Sequence, residues 1–309
     1  MRFCRFDDNR LGIVDGSTVR DVTAALDVLP AHRYPLPAHD IFVEHLDTVA
    51  NRVRTLFPSA RALAIEDVTL LSPVANPGKI VAAPVNYEKH LSEVRKDPGL
   101  HGNNPGHTFT IQSAGLFLKA SSSLVGPGQG VVIRMADRRT DHEVELVIVI
   151  GRRANRVARQ DAMAHVAGYA IGLDISIRGS EDRSFRKSPD SYTVLGPWLA
   201  TADEIPNPGA LDLQIAVNGN VRQQSNTRHM ILGVAELIEM ASSMYTLHPG
   251  DLIFSGTPEG VSPIHPGDEI VATIADIGTM AVTVRADRDM SSPVMSASSP
   301  GSFERADAT

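Results

Sequence analysis

Residues 141–150, the most informative segment of the chain, read Asp-His-Glu-Val-Glu-Leu-Val-Ile-Val-Ile. As a β-strand, it would direct Val144, Leu146 and the later isoleucines to one face, and Glu143 and Glu145 to the other. Two neighbouring carboxylates on an apolar strand repel each other and are costly to desolvate. The pattern therefore predicts either a hard divalent cation held by carboxylate oxygens or a strand face that is exposed to water.

A second apolar strand is predicted over residues 169–177, which read Tyr-Ala-Ile-Gly-Leu-Asp-Ile-Ser-Ile. Aspartate is disfavoured in strands and is rarely buried without a partner. Asp174 therefore requires either a cation shared with the two glutamates or a guanidinium such as that of Arg178. The spacing alone leaves both alternatives open.

Short β-branched runs punctuated by glycine and proline predict further strands, for example at residues 79–83 and 130–133. A helix is predicted after Asn226-Thr227, which can cap it, with an apolar stripe over residues 231–245. Because helices do not alternate regularly with strands, we expect a mainly β domain with some helix, of α+β class, rather than a doubly wound α/β sheet.

The chain is predicted to divide into three parts. Residues 1–70 form a small N-terminal α+β domain, with a hairpin over residues 1–25 and helical pieces from Asp40 onward. Residues 71–287 form the catalytic domain, which begins with a Pro/Gly-rich joint. Residues 288–309 are rich in Ser, Ala, Pro and Gly, a composition typical of a disordered tail.

Composition narrows the possible partners and the compartment. A formal net charge of −7 provides no electrostatic footprint for nucleic acid or an anionic membrane, so neither partner is expected. The single cysteine, Cys4, precludes an intrachain disulfide and fits a reducing compartment. Without a signal-like start or an apolar run of about 20 residues, we predict a cytoplasmic protein.

A histidine and a glutamate are predicted to share one helical face. Residues 86–93 read Asn-Tyr-Glu-Lys-His-Leu-Ser-Glu, which predicts a helix capped by Asn86. His90 and Glu93 are three residues apart, so the carboxylate can orient the imidazole as a general base for water. An incidental surface pair is the alternative interpretation.

The sequence as a whole resembles the fumarylacetoacetate hydrolase family, including its acylpyruvate hydrolase and 2-hydroxyhepta-2,4-diene-1,7-dioate isomerase-like members. The resemblance covers about residues 75–285 and rests on eight motifs in the same order. They are Asn86-Tyr87-x-x-His90, Phe117-Leu-Lys119-x-Ser-Ser, Leu124-Val-Gly-Pro-Gly128, Asp141-His-Glu-Val-Glu145-Leu, Gly168-Tyr-x-x-x-x-Asp174, Leu195-Gly-Pro-Trp198, Gln224-Ser-Asn-Thr227 and Ser255-Gly-Thr-Pro-x-Gly-Val261.

The resemblance implies a mixed β-sandwich roll, a homodimer and a bound divalent cation, either Mg²⁺, Mn²⁺ or Ca²⁺. It implies the metal ligands Glu143, Glu145 and Asp174. It also implies the catalytic residues His90, Glu93 and Lys187, where the first two activate water and the lysine stabilises a developing enolate. Substrate contacts are implied for Tyr87, Arg178, Glu181 and Thr257.

One segment departs from the family pattern. Family members often read Ser-x-Arg-Asp-x-Gln after the metal-binding aspartate, whereas this chain has Gly179 and Glu181 at the Asp and Gln positions. A neutral amide that can donate a hydrogen bond is thereby replaced by a carboxylate that only accepts one. The departure weakens assignment of the substrate by analogy.

These observations predict a metal-dependent hydrolase that cleaves a carbon–carbon bond of a small acylpyruvate or 1,3-diketo acid. The cation would polarise the keto acid, and the His-Glu pair would activate water. Decarboxylation or keto–enol isomerisation of a related dicarboxylic keto acid, as in aromatic catabolism, is the alternative. A non-catalytic metal-binding homologue is a further alternative, favoured only by the change at Glu181.

Overall fold

The computed structural model describes residues 1–101 and 109–287, so the predicted disordered tail, 288–309, lies outside the described residues. The strands are β1 (Arg2–Phe6), β2 (Arg10–Asp15), β3 (Thr18–Asp21), β4 (Ala62–Ala64), β5 (Leu70–Leu71), β6 (Ile80–Ala82), β7 (Phe117–Lys119), β8 (Leu124–Val125), β9 (Val131–Ile133) and β10 (Thr140–His142). They continue with β11 (Val144–Ile150), β12 (Val166–Asp174), β13 (Ser176–Ile177), β14 (Thr193–Thr201), β15 (Asp212–Val217), β16 (Asn220–Asn226), β17 (Leu252–Phe254), β18 (Ser262–Pro263), β19 (Glu269–Ile274) and β20 (Gly278–Ala286).

The described residues contain fewer helices than strands. The helices are α1 (Ile41–Glu44), α2 (Leu46–Leu56), α3 (Glu88–Lys96), α4 (Pro98–His101), α5 (Ile111–Ala114), α6 (Arg183–Lys187) and α7 (Val234–Met244). Among the described residues, we find no helix with the length and apolar character needed to cross a membrane.

Strand β11 lies inside a large sheet and is covered on both faces. The sheet order is β4-β3-β2-β1-β14-β12-β11-β17-β6-β7, with β5 pairing with β1 and β8 pairing with β14. Leu146 and Ile148 belong to one hydrophobic core, whereas Val147 and Val149 belong to another. A strand buried on both faces has a nearly continuous apolar sequence, which explains the run after Glu145.

Two smaller sheets complete the β structure. One has the order β16-β15-β19-β20-β9, and the other has the order β13-β10-β18. Strands β11 and β12 form an antiparallel pair, as do β12 and β14, so helices do not alternate with parallel strands. The predicted α+β class is confirmed.

The N-terminal residues extend the large sheet. Strands β1, β2 and β3 form an antiparallel meander, which adds one strand to the predicted hairpin. Strand β1 also pairs with β14, joining Phe3 to Leu199. Strands on the two sides of residue 70 therefore pair with each other. The division of the chain into domains at this residue stays a prediction.

The predicted cap of α3 is wrong, because Asn86 has other partners. Helix α3 begins at Glu88, with Tyr87 at the capping position. The Asn86 amide donates to the carbonyl oxygens of Leu232 and Ser255, both at 2.8 Å, and accepts the Leu232 N–H at 2.8 Å. These bonds join three loops beside the large sheet, and a buried amide needs such partners.

The predicted cap of the second helix is also displaced. Asn226 caps a short 3₁₀ turn, Thr227–His229, by accepting the Arg228 N–H at 3.0 Å. Helix α7 begins only at Val234, after Gly233, whose N–H donates to Glu236 at 2.7 Å. Asn226-Thr227 therefore marks the start of a turn, and this turn begins seven residues before α7.

Replacing Gly172 of β12 by alanine should destabilise the sheet that supports the carboxylates. A Cβ there would lie 2.4 Å from Val147 Cγ2 and 2.5 Å from Phe254 Cε1, so a methyl group overpacks the core. We expect a loss of about 1–3 kcal/mol in the free energy of unfolding, measured by urea denaturation. Gly209→Ala is the control, since its Cβ would have only Asn207 Oδ1 nearby, at 3.5 Å. Equal stability of the two variants would contradict this packing.

Candidate metal centre and active site

The three predicted metal ligands converge beside the large sheet. Glu145 lies on β11 opposite Gly172 of β12, and Asp174 is the last residue of β12. Glu143 lies in the break between β10 and β11, where its carbonyl oxygen accepts the Asp174 N–H at 2.9 Å. All three side chains are buried, and one carboxylate oxygen from each lies within 4.8 Å of the other two. This convergence contradicts the alternative of a solvated strand face.

Two lysines neutralise part of this negative charge. Lys187, the last residue of α6, donates to Glu143 at 2.7 Å, to Asp174 at 2.7 Å and to Ser176 at 2.5 Å. Lys119, at the end of β7, donates to the other Asp174 oxygen at 2.5 Å. Burial lowers the pKa of the Lys119 ammonium, and the Asp174 charge opposes that effect.

Arg178 pairs with carboxylates other than that of Asp174. Its guanidinium donates to Asp141 at 2.7 Å and to Glu143 at 2.8 Å. Asp141 also accepts from Arg139 at 2.8 Å. The proposed Arg178 partner for Asp174 is therefore wrong, because lysines bind this carboxylate instead.

The three carboxylates differ in how well they are compensated. Burial raises the pKa of Glu143, but Lys187 and Arg178 outweigh burial and hold that pKa far below its ordinary value. Burial raises the pKa of Glu145 well above its ordinary value, and the negative charges of Asp174 and Glu143 raise it further. In the part of the chain that the structure describes, the Glu145 carboxylate accepts only the Gly256 N–H, at 2.6 Å. Glu145 is thus the carboxylate that a cation would stabilise most.

The donor set fits a divalent metal ion. A carboxylate has about four lone-pair sites, so Asp174 can accept from both lysines and still coordinate an ion. Hard oxygen ligands suit Mg²⁺, Mn²⁺ and Ca²⁺. Glu143, Glu145 and Asp174 could therefore hold the cation, which accords with the predicted cofactor.

A glycine turn carries the Glu145 partner. Gly256 has a φ of +92°, in the left-handed region, and a Cβ there would lie 2.7 Å from Asn86 Cβ. Only glycine fits such a position without strain. The next residue, Thr257, donates from its hydroxyl to the Val144 carbonyl at 2.9 Å. The turn thus holds both residues against the metal-binding strand.

The His90–Glu93 pair forms as predicted on α3. His90 Nδ1 lies 2.9 Å from Glu93 Oε2, and the other Glu93 oxygen accepts the Gly260 N–H at 3.0 Å. Both oxygens of Glu93 are therefore engaged, which fixes the imidazole orientation. His90 is buried and lines the same cavity as the three carboxylates. The geometry contradicts the alternative of an incidental surface pair.

One cavity collects most of the predicted site residues. Its polar wall consists of His90, Glu143, Glu145, Asp174, Arg178, Arg183, Arg186, Lys187 and Thr257. Its apolar wall includes Val94, Leu100 and Phe117. A small polar substrate with an apolar carbon chain would match these two walls.

Two predicted substrate contacts lie elsewhere. Tyr87 lines a separate pocket with Arg228 and Glu259, and its buried hydroxyl has no hydrogen-bond partner among the described residues. Glu181 forms a two-pronged ion pair with Arg138, at 2.7 and 2.9 Å, and is not among the described residues that line the site cavity. Arg138 holds the pKa of Glu181 at about 2, below its ordinary value, so this carboxylate stays ionised and paired.

Sequence reasoning assigned no role to Lys119, Arg183 or Arg186. Lys119 was visible inside the Phe117-Leu-Lys119 motif, but its spacing gave no partner, because Asp174 lies 55 positions away. The two arginines belong to the Arg183–Lys187 helix, whose brevity gave no periodic signal.

Comparison with known proteins identifies the family. Residues 79–285 match the family described as "Fumarylacetoacetate (FAA) hydrolase C-terminal". Maleylpyruvate hydrolase of Aquipseudomonas alcaligenes is 57% identical over 285 residues, which cover 92% of this chain and 99% of that protein. The chain belongs to the fumarylacetoacetate hydrolase family.

A solved structure and a second relative extend the comparison. The crystal structure of maleylpyruvate hydrolase from Sphingobium sp. SYK-6, in complex with manganese(II) and pyruvate, has a TM-score of 0.79 and 38% identity. The match covers 93% of this chain and all of that one. The mitochondrial oxaloacetate tautomerase FAHD2A of Homo sapiens is 34% identical over 250 residues, covering 73% of this chain and 74% of the relative.

Replacing Glu145 by glutamine should weaken metal binding and stabilise the metal-free protein. The variant removes the charge of a metal ligand. Mutation of a residue that only contacts a ligand typically lowers metal affinity by roughly 10- to 100-fold, so the loss of Mn²⁺ affinity here should be larger. The raised pKa of Glu145 means that its ionised form destabilises the fold near pH 7, so the thermal midpoint with EDTA should rise. Calorimetry and thermal unfolding measure these effects.

Glu269→Gln is the matched control, because Glu269 is exposed on β19. It should leave both quantities unchanged. Undiminished Mn²⁺ affinity in the Glu145→Gln protein would contradict the assignment of this ligand.

Proposed function

We propose that this chain is a divalent-metal-dependent hydrolase that cleaves the carbon–carbon bond of an acylpyruvate, with maleylpyruvate as its substrate. The observation that carries the proposal is the shared cavity of the carboxylate triad and the His90–Glu93 pair. The relative at 57% identity bears the name maleylpyruvate hydrolase, and the predicted hydrolase class is confirmed by it. Hydrolysis of maleylpyruvate yields pyruvate and maleate.

The metal would be held by Glu143, Glu145 and Asp174. A divalent cation there supplies Lewis-acid polarisation of the keto acid and charge stabilisation as the bond breaks. Manganese accompanies pyruvate in the Sphingobium structure, which supports Mn²⁺ within the predicted group of Mg²⁺, Mn²⁺ and Ca²⁺.

His90 acts as the general base in this proposal. With Nδ1 directed to Glu93, Nε2 is the nitrogen left to take a proton from water. The water oxygen then adds to the acyl carbonyl carbon, the one next to the pyruvyl methylene. Glu93 stabilises the resulting imidazolium, and Gly260 holds Glu93 in place.

Bond cleavage releases the acyl group as a carboxylic acid, which then loses its remaining proton to solvent and becomes a carboxylate. The carbon–carbon bond to the methylene breaks, and its electron pair remains on the pyruvyl fragment as an enolate. The ammonium groups of Lys187 and Lys119 place positive charge beside the cavity carboxylates, so they offset the added negative charge. The imidazolium of His90 returns its proton to the methylene carbon, and this step forms pyruvate.

Thr257 and Arg178 remain proposed substrate contacts, since both line the cavity. Tyr87, at the capping position of α3, lines a separate pocket, so its role as a substrate contact stays a prediction. Glu181 remains a proposed contact only if its pair with Arg138 opens on substrate binding.

Keto–enol isomerisation is the second candidate, because the oxaloacetate tautomerase of Homo sapiens is 34% identical. That reaction needs the cation and a proton acceptor but no attacking water. The His90–Glu93 pair favours hydrolysis, since it provides a base for that water. The Glu181 change that favoured a non-catalytic homologue lies outside the cavity wall and leaves triad and pair intact.

We also propose a cytoplasmic homodimer, which stays a prediction from the family resemblance and from the single cysteine. Light scattering coupled to size exclusion measures the subunit number. A monomeric mass would contradict the dimer.

Substituting His90 by asparagine should remove hydrolysis while leaving the metal bound. Loss of a general base lowers kcat by roughly 10²- to 10⁴-fold. Pyruvate release from maleylpyruvate with Mn²⁺, coupled to lactate dehydrogenase, measures the rate, and EDTA should abolish it in the wild type. Mn²⁺ affinity should change little.

The control is Lys89→Gln, an exposed position on the same helix. It should retain activity. Undiminished hydrolysis by the His90 variant would contradict the proposed base, and no pyruvate from the wild type would contradict the function.

A further inference from the structure

Helix α6 presents a row of cations to the site cavity. It starts after Asp182, whose carboxylate accepts the Ser184 N–H at 2.8 Å. Arg183 and Arg186 are three residues apart and therefore share one helical face, and Lys187 follows on the next position. All three line the cavity together with the carboxylate triad.

Lys187 and Arg178 are paired with carboxylates of the site. Lys187 binds Glu143 and Asp174 at 2.7 Å, and Arg178 binds Asp141 and Glu143 at 2.7 and 2.8 Å. Their charge is shared with the groups that hold the metal. Neither provides an unopposed positive charge for the far end of a substrate.

Arg186 differs because its hydrogen-bond partners among the described residues are carbonyl oxygens and no carboxylate pairs with it directly. Its side chain is 2% exposed, and it donates from Nε to the Glu181 carbonyl at 2.9 Å and from Nη1 to the Ile177 carbonyl at 2.8 Å. Within residues 1–101 and 109–287, Arg186 forms no ion pair, and its Nη2 has no hydrogen-bond partner. A buried cation without a counter-ion is costly and calls for an anion.

The carboxylate of Glu181, five positions before Arg186, is held away from the Arg186 guanidinium. The Glu181 carboxylate is bound at both oxygens by Arg138, so only the Glu181 backbone oxygen reaches Arg186. This arrangement keeps the Arg186 charge available on the cavity wall. It also provides a reason for a glutamate at position 181, which is tethered away from the substrate space.

We infer that Arg186, supported by Arg183, binds the far carboxylate of a dicarboxylic acyl group and sets a preference for diacids over monocarboxylic acylpyruvates. The inference rests on the proposed function and adds a specificity determinant to it. A guanidinium recognises a carboxylate through charge-assisted hydrogen bonds, which are among the strongest in proteins. The apolar wall of Val94, Leu100 and Phe117 would contact the carbon chain between the two ends.

The test compares a diacid with a monoacid. Maleylpyruvate carries the far carboxylate, and acetylpyruvate lacks it. Arg186→Gln should lower kcat/KM for maleylpyruvate on the order of 100-fold, mainly by raising KM. The kcat/KM for acetylpyruvate should change by less than about threefold. If the enzyme does not hydrolyse acetylpyruvate, its inhibition constant against maleylpyruvate hydrolysis is compared between the wild type and the variant instead. Arg186→Lys, which retains the charge, should recover part of the loss.

A second variant keeps the test decisive if Arg186→Gln does not fold. Arg183 is only half-buried, so Arg183→Gln should fold and lose about tenfold in kcat/KM for maleylpyruvate alone. Arg159→Gln is the control, since it removes an exposed arginine that pairs with Glu236 and is not among the described residues that line the cavity. Circular dichroism and the thermal midpoint verify folding.

The outcomes distinguish a failure of the proposed Arg186 role from a failure of the proposed hydrolase function. Selective loss on maleylpyruvate supports the inference. Equal losses on both substrates, or no loss on either, would overturn it while leaving the hydrolase function standing. If the wild type releases pyruvate from neither compound, the proposed function fails, and this inference fails with it.

Discussion

Three buried carboxylates that must be kept close together are the constraint around which this site is built. Their oxygens approach within 4.8 Å at the ends of β11 and β12. Like charges at that distance in a low-dielectric interior require compensation. Lys119 and Lys187 supply part of it, and the mismatch left at Glu145 favours a divalent cation.

Much of the surrounding architecture serves to hold this charge cluster. Strand β11 is buried on both faces, so Glu145 projects from a rigid element. Gly256 provides the backbone donor to Glu145, and Asn86 joins that turn to the start of the catalytic helix α3. Ligands held on packed strands lose little entropy on binding a metal, and the water-activating pair is held at the edge of the same cavity.

The sequence predicted the parts of the site that depend on local spacing. Glu143 and Glu145 lie two residues apart on either side of the start of β11, and His90 and Glu93 lie three apart on α3, so short sequence spacing placed the members of each pair close together. Partners distant in sequence could not be predicted in this way. The bonds from Lys119 to Asp174 and from Arg138 to Glu181 depend on the sheet order and on a short helix. The two helix caps failed for different reasons. Asn86 has partners that only the tertiary fold provides, whereas Asn226 caps a local 3₁₀ turn that precedes α7.

The central claim is that the triad binds a cation which the keto-acid group requires. Calorimetric titration of pyruvate into Mn²⁺-loaded protein and into EDTA-treated protein tests it most directly. The account predicts stoichiometric Mn²⁺ binding and a pyruvate affinity at least about tenfold higher in the loaded protein, within the usual range of coupling between two ligands. Equal pyruvate affinity in the two samples would contradict the account.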